Sequence, residues 1–234
     1  MAAVLTVLAG TSGCTAESSA QGSGEGSADE VGLWSARLSD SEVPGHSVRL
    51  DSLGKDAGAS PRQSLTPAQC RPLFDPALGA ADRTAEAHVR MTLDPHKKDP
   101  IAPVERHITL SQHRPGGADA YLASLKKALE NCSTLSWAEQ WGARTEASVA
   151  RKPAPKEGDD SVAYVLTAKV PVAGVQKDST YYVVIAVRTG TKTALFATAV
   201  PTTRTTNTPD KALTVALQHQ SAITEQTTKL TRLR

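Results

Sequence analysis

Three cysteines and six histidines are the side chains of this 234-residue chain best equipped for covalent or metal chemistry. Cys70 and Cys132 belong to no Cys-x-x-Cys motif and no Cys/His cluster, so their spacing speaks against a zinc centre and against dithiol redox work. A zinc site would have to draw on His88, His107 and His113 with a nearby glutamate. His107 and His113 are six residues apart, roughly 20 Å along a strand, which keeps them from sharing one ion. The nucleophile elbow Gly-x-Ser-x-Gly, the metalloprotease motif His-Glu-x-x-His and a phosphate loop are all missing. Gly22-Ser23-Gly24-Glu25-Gly26 has neither a strand before it nor a helix after it, so it fails as a nucleotide loop. The expectation is a protein that is not an enzyme, with no cofactor and no bound metal.

Charge and composition narrow the class further. Lys and Arg total 26 against 24 acids, a net charge of +2, which excludes a nucleic-acid binder working through bulk charge. At 39% hydrophobic residues the chain can bury one core, so wholesale disorder is not expected. No run of about 18 apolar residues is present to cross a membrane as a helix.

Cys14 is the third thiol, and its context sets it apart. An uncharged apolar stretch, Ala2 to Ala9, leads through small residues to the cysteine. This is the pattern of a secretory signal and its cleavage site. Leu8-Ala9-Gly10-Thr11-Ser12-Gly13-Cys14 resembles the lipobox of bacterial lipoproteins. That resemblance implies a signal peptide over 1–13, a diacylglyceryl thioether and further fatty acylation (palmitate) on Cys14, and anchorage to the outer leaflet of the cytoplasmic membrane. No Lys or Arg precedes the apolar stretch, so a truncated signal with a missing basic segment is expected. Residues 15–30 contain no aromatic residue and no branched aliphatic one, and cannot offset their ordering entropy by burial. The span 14–36 is therefore expected to be a flexible Gly/Ser/acidic tether. It carries four acids and no base, leaving 26 bases against 20 acids, or +6, in the domain at 37–234.

That domain reads as α+β. Ser39-Asp40-Ser41-Glu42 has capping-box spacing, and 47–53 alternates weakly as an edge strand. Thr66-Pro67-Ala68-Gln69 predicts the start of a short helix carrying Cys70, Leu73 and Phe74 on one side. Residues 85–93 and 104–113 alternate cleanly and form a hairpin around a proline-rich loop. A helix over 118–132 buries Tyr121, Leu122, Leu125, Ala128, Leu129 and Cys132. Cys132 then lies where Cys70 can reach it, so a disulfide is expected between them in an oxidising compartment. Strands follow at 144–150, 162–172, 180–189 and 193–200, the third of them apolar on both faces and hence central. Thr208-Pro209 opens a last helix with Leu213, Leu217, Ile223 and Leu230 on one side. The expected fold is a single domain with a mostly antiparallel β-sheet and helices packed on one face.

The hairpin also offers a candidate site. Glu86, His88 and Arg90 on one strand and Glu105, His107 and Thr109 on its neighbour share a polar face suited to a small polar or anionic ligand, or to cross-strand ion pairing alone. Trp137 and Trp141, four apart, are core residues or an exposed anchor for an envelope protein.

The order of the short Leu-x-x-x-Glu-Val-Pro-Gly turn (38–45), Pro-Ala-Gln-Cys (67–70), Ala-Leu-Glu-Asn-Cys (128–132), Gly158-Asp159-Asp160-Ser161 and Val187-Arg188-Thr189-Gly190 resembles actinobacterial lipoproteins. Their body is similar to the extracellular sensor domain of the mycobacterial kinase PknH, and the resemblance spans about 37–231. It implies a helix-packed sheet, a ligand cleft and paired cysteines; that sensor domain has two disulfides where this chain has material for one. The expected function is that of a membrane-anchored extracytoplasmic lipoprotein with a non-catalytic ligand-binding, sensor-like domain. The alternative is a structural or partner-binding envelope lipoprotein, ahead of a hydrolase or metal enzyme.

Overall fold

The computed structural model describes residues 28–53, 64–96, 104–138, 142–170, 178–201 and 220–233. Nine strands form one sheet: β1 (His46–Leu53), β2 (Leu65–Thr66), β3 (Ala87–Pro95), β4 (Glu105–Gln112), β5 (Thr134–Ala138), β6 (Arg144–Lys152), β7 (Asp160–Val170), β8 (Asp178–Thr189) and β9 (Lys192–Pro201). Their order is β1-β3-β4-β9-β8-β7-β6-β5-β2 and every pairing is antiparallel. The helices are α1 (Ala28–Ser35), α2 (Arg71–Ala77), α3 (Gly117–Asn131) and α4 (Gln220–Arg232). The α+β class, the edge position of β1, the β3–β4 hairpin and the central place of β8 all match the sequence reading.

The helices do not share one face. Val162, Tyr164 and Leu166 of β7, Val184 and Ala186 of β8 and Leu195 of β9 pack beneath α2 and α3. Their neighbours Ala163, Ile185, Val187, Ala194 and Phe196 face the other way, toward α1 and α4. A strand that is apolar on both sides leaves two surfaces to be removed from water, so each receives two helices.

Helix α1 also shortens the expected tether. Leu33, Ala36 and Leu38 are buried against Ala87, Val89, Met91 and Leu93 of β3, so residues 28–36 belong to the folded body. The composition of the segment hid this, because one leucine on the helix, with Ala36 and Leu38 just past its end, suffices once a sheet face is there to receive them. Cys14 and residues 15–27 lie outside the described residues, as do Trp141, the 56–60 loop and the start of the last helix with Leu213 and Leu217.

The α2 region departs from expectation at its start. Thr66 pairs with Ser136 in the sheet, Ala68–Cys70 make one 3-10 turn, and the α-helix begins only at Arg71. Strand β5, unread in the sequence, carries Trp137 inward; it is 4% exposed and its ring centroid lies 5.0 Å from that of Phe74. Tyr164 Oη donates to the Leu73 carbonyl at 2.9 Å, tying β7 to α2. Cys70 and Cys132 are disulfide-bonded, joining the start of α2 to the end of α3 across 62 residues of sequence. Closing a loop of that length removes denatured-state entropy worth roughly 4 kcal/mol in the chain-entropy picture. The double substitution Cys70→Ser, Cys132→Ser is therefore expected to lower unfolding free energy by roughly that amount, read as a lower urea midpoint, with reductant doing the same to the wild type.

Candidate functional site

Pairing of β3 with β4 sets His88 opposite Ser111, Arg90 opposite Thr109 and Thr92 opposite His107. The six predicted site residues thus share one sheet region, but they do not form one open surface. His88 and Thr109 are each 1% exposed, Arg90 and His107 are half-buried, and Glu86 and Glu105 stand exposed at opposite ends. The cover comes from the end of α2 and the turn that follows it. Thr109 Oγ1 donates to the Gly79 carbonyl at 3.2 Å. Gly79 has φ +70°, and a Cβ there would meet Arg90 Nη2 at 3.1 Å and His107 Cβ at 3.2 Å, so only glycine lets the turn lie this close.

Polar groups taken out of water need partners, and here hydroxyls supply them. His88 Nδ1 lies 2.9 Å from Ser111 Oγ, and His113 Nε2 lies 2.9 Å from Thr193 Oγ1. His113 also stacks on Tyr121 and faces Asp82 at 3.5 Å. His107 Nδ1 lies 3.0 Å from Thr92 Oγ1. Each of the three histidines weighed for zinc is committed to a different hydroxyl, and among the described residues no three His, Cys, Asp or Glu side chains gather as a metal site. Glu86 pairs instead with Arg114 at 2.9 Å on the surface.

One residue that sequence reasoning missed organises the half-buried part. The register of β1 against β3 slips between Leu50 and Ser52, so Asp51 and Ser52 together oppose Arg90. The Asp51 carboxylate accepts a short hydrogen bond from Thr92 Oγ1 and pairs with Arg49 at 2.6 Å. It also lies 3.7 Å from Arg90 Nε and 3.6 Å from His107 Nδ1. Because Thr92 gives its hydrogen to Asp51, its oxygen must accept from His107, which places the ring proton on Nδ1. Burial, with Arg90 nearby, lowers the His107 pKa, so the ring is neutral and its Nε2 is an acceptor. The only sequence signal for Asp51 was a lone acid in a weakly alternating edge strand.

His107 borders a groove of about 400 Å³. Its walls are Ala77 and Leu78 at the end of α2, Glu105 of β4, Thr180 and Tyr182 of β8, and Ala197, Ala199 and Pro201 of β9. Ala197, Ala199 and Pro201 of β9 form an apolar floor, flanked by Glu105 and His107 of β4 on one side and by Thr180 and Tyr182 of β8 on the other. That combination suits a small amphipathic molecule. A second depression of about 470 Å³ lies at β2 and β5–β7, lined by Thr66, Ser136, Glu146, Thr167 and Lys169 among others. Its lining is proportionately more polar, and its charged groups, Glu146 and Lys169, face each other across β6 and β7 as register partners.

Burial, and after it the proximity of His113, pushes His88 down to about 4, against the opposing pull of Asp82. The unfolded chain takes up this proton near pH 6.5, whereas the folded chain refuses it until about pH 4. Stability therefore falls as pH drops through that window, by up to about 1.4 kcal/mol per pH unit for one proton. His88→Gln is expected to flatten the acid limb of a stability-versus-pH curve by close to one proton, measured by urea unfolding at successive pH values.

No protein-family model and no curated protein matches the chain. Among solved structures it is similar to the extracellular domain of PknH from Mycobacterium tuberculosis, at 12% identity over 74% of this chain and 81% of that one, with a TM-score of 0.44. It is also similar to an uncharacterised protein from Mycobacterium smegmatis, at 11% identity over 76% of this chain and 90% of that one, with a TM-score of 0.36.

Proposed function

We propose that this protein is a non-catalytic, extracytoplasmic ligand-binding domain held at the membrane by lipid on Cys14, and that the groove beside His107 is its ligand site. The observation that carries the reading is the fixed His107 ring: Asp51 and Thr92 commit Nδ1, so that Nε2 stands ready as an acceptor beside an apolar floor. A side chain held by two other residues is pre-organised, and binding through it costs little ordering entropy. The ligand this favours has an apolar body and a hydrogen-bond donor, a hydroxyl or an amine. Glu105 at the groove edge supports the same polarity and disfavours an anion there. The Cys70–Cys132 disulfide supports an oxidising, extracytoplasmic address. The small residues leading to Cys14 support the anchor.

Native mass spectrometry of protein taken from its own cell envelope tests both halves. A small molecule is expected on the wild type, absent from Ala199→Trp, whose indole fills the floor. His107→Ala is expected to weaken its retention about tenfold, the loss of one hydrogen bond worth about 1.4 kcal/mol. Diacylglycerol mass on Cys14 is expected in the same spectra. Protein recovered without acyl groups would overturn the anchor, and equal ligand occupancy in all three proteins would overturn the groove.

A further inference from the structure

The residue before His107 faces the other side of the sheet and poses a separate problem. Arg106 is only 8% exposed, and its Nε is buried without a hydrogen-bond partner. Its Nη1 lies 3.4 Å from His46 Nε2. The other ring nitrogen of His46 lies 3.4 Å from the Pro44 carbonyl and so carries the proton, which leaves Nε2 as a neutral acceptor. That contact takes a hydrogen and leaves the charge in place. Other arginines whose Nε is buried are treated differently: Arg90 has Asp51 at 3.7 Å, and Arg188 has Asp119 at 3.2 Å. Among the described residues no carboxylate stands in that position for Arg106, and burial alone acts on its titration, in the direction that disfavours the cation.

Arg106 lines a cavity of about 20 Å³ on the α4 side, together with Leu93, Ile108, Phe196, Ile223 and Thr198. Thr198 is its register partner on β9, so the two residues line the cavity from adjacent strands. A space of this size holds one particle about as large as a water molecule. Water would satisfy the Nε–H yet leave a desolvated cation in a largely apolar lining. An anion answers both demands. We infer that this cavity is a binding site for a single monatomic anion of chloride's size, held by the Arg106 Nε–H and the Thr198 hydroxyl. His107 contributes to the lining of both this cavity and the groove, but the polar side chains invoked here, Arg106 and Thr198, are not among those that line the groove.

Thermal unfolding in chloride or bromide against gluconate at matched ionic strength is the test, with crystals grown in bromide as its structural arm. The halides are expected to raise Tm by about 2–4 °C at concentrations several times Kd. Arg106→Gln is expected to abolish that rise, whatever its own Tm. Thr198→Val, which keeps the side-chain shape, is expected to reduce the rise and serves if R106Q does not fold. An anomalous bromide peak is expected beside Arg106 Nε. Equal Tm in halide and gluconate, an undiminished halide effect in both variants, or a cavity filled by water in the bromide crystals would each overturn the inference.

Discussion

A sheet whose middle strand is apolar on both sides has to be shielded from water twice. Val184 and Ala186 of β8 point one way, and Ile185 and Val187 the other, all nearly fully buried. The rest of the architecture follows from that requirement. On one side α2 is a two-turn helix, too short to hold itself together by its own hydrogen bonds. It stays in place because the disulfide to the end of α3, the Tyr164 hydroxyl and the Phe74–Trp137 contact fasten it from three directions. On the other side α1 and α4 close the sheet with residues far apart in sequence; Gln226 of α4 donates to the Ala36 carbonyl at 2.6 Å.

Toward β1 the composition of the sheet changes while the cover on the α2 side persists. The α2-facing side of β3 and β4 carries His88, Arg90, Thr92, His107, Thr109 and Ser111. The turn after α2 nevertheless lies over Arg90, His107 and Thr109. Polar groups shielded in this way must satisfy one another, and the solution is a set of hydroxyl–imidazole pairs with one carboxylate. Neutral partners suit a low-dielectric setting better than full charges do, and burial holds the histidines uncharged. Pre-organisation of His107 is thus a by-product of covering a polar sheet face.

What was legible in the sequence was local periodicity. The alternation of 85–93, the two-sided apolar run 181–187 and the three-and-four spacing in 118–132 each named their element correctly, and burial of Cys132 on that helix pointed to its bridge with Cys70. The misses were nonlocal. Strand β2 is two residues long and β5 five, too short to show a period. Helix α1 hid in a polar composition because its apolar residues find their partners on β3, some fifty residues on. The polar hairpin face looked like a solvated surface because nothing in residues 85–113 announces that 77–82 will cover it. The apolar two-sidedness of 181–187 did imply helices on both faces. Assigning them all to one face neglected that consequence.

Asp51 and Arg106 show what pairing geometry adds beyond residue type. In sequence, one is an acid on a weak strand and the other a base at an inward position of an alternating one, and residue type alone singles out neither. The irregularity in β1 brings Asp51 over Thr92 and His107, where its charge is answered by Arg49 and Arg90. Strand alternation sends Arg106 to the opposite side, onto the apolar face with Leu93, Ile108 and Phe196. A slip of one residue in β4 would exchange the two faces and carry Glu105 and His107 into the apolar core, so the register is tightly specified. The strand therefore places a cation with no carboxylate partner among the described residues on one side, by the same constraint that places a held imidazole on the other. Neither position can be changed by sliding the strand without destroying both.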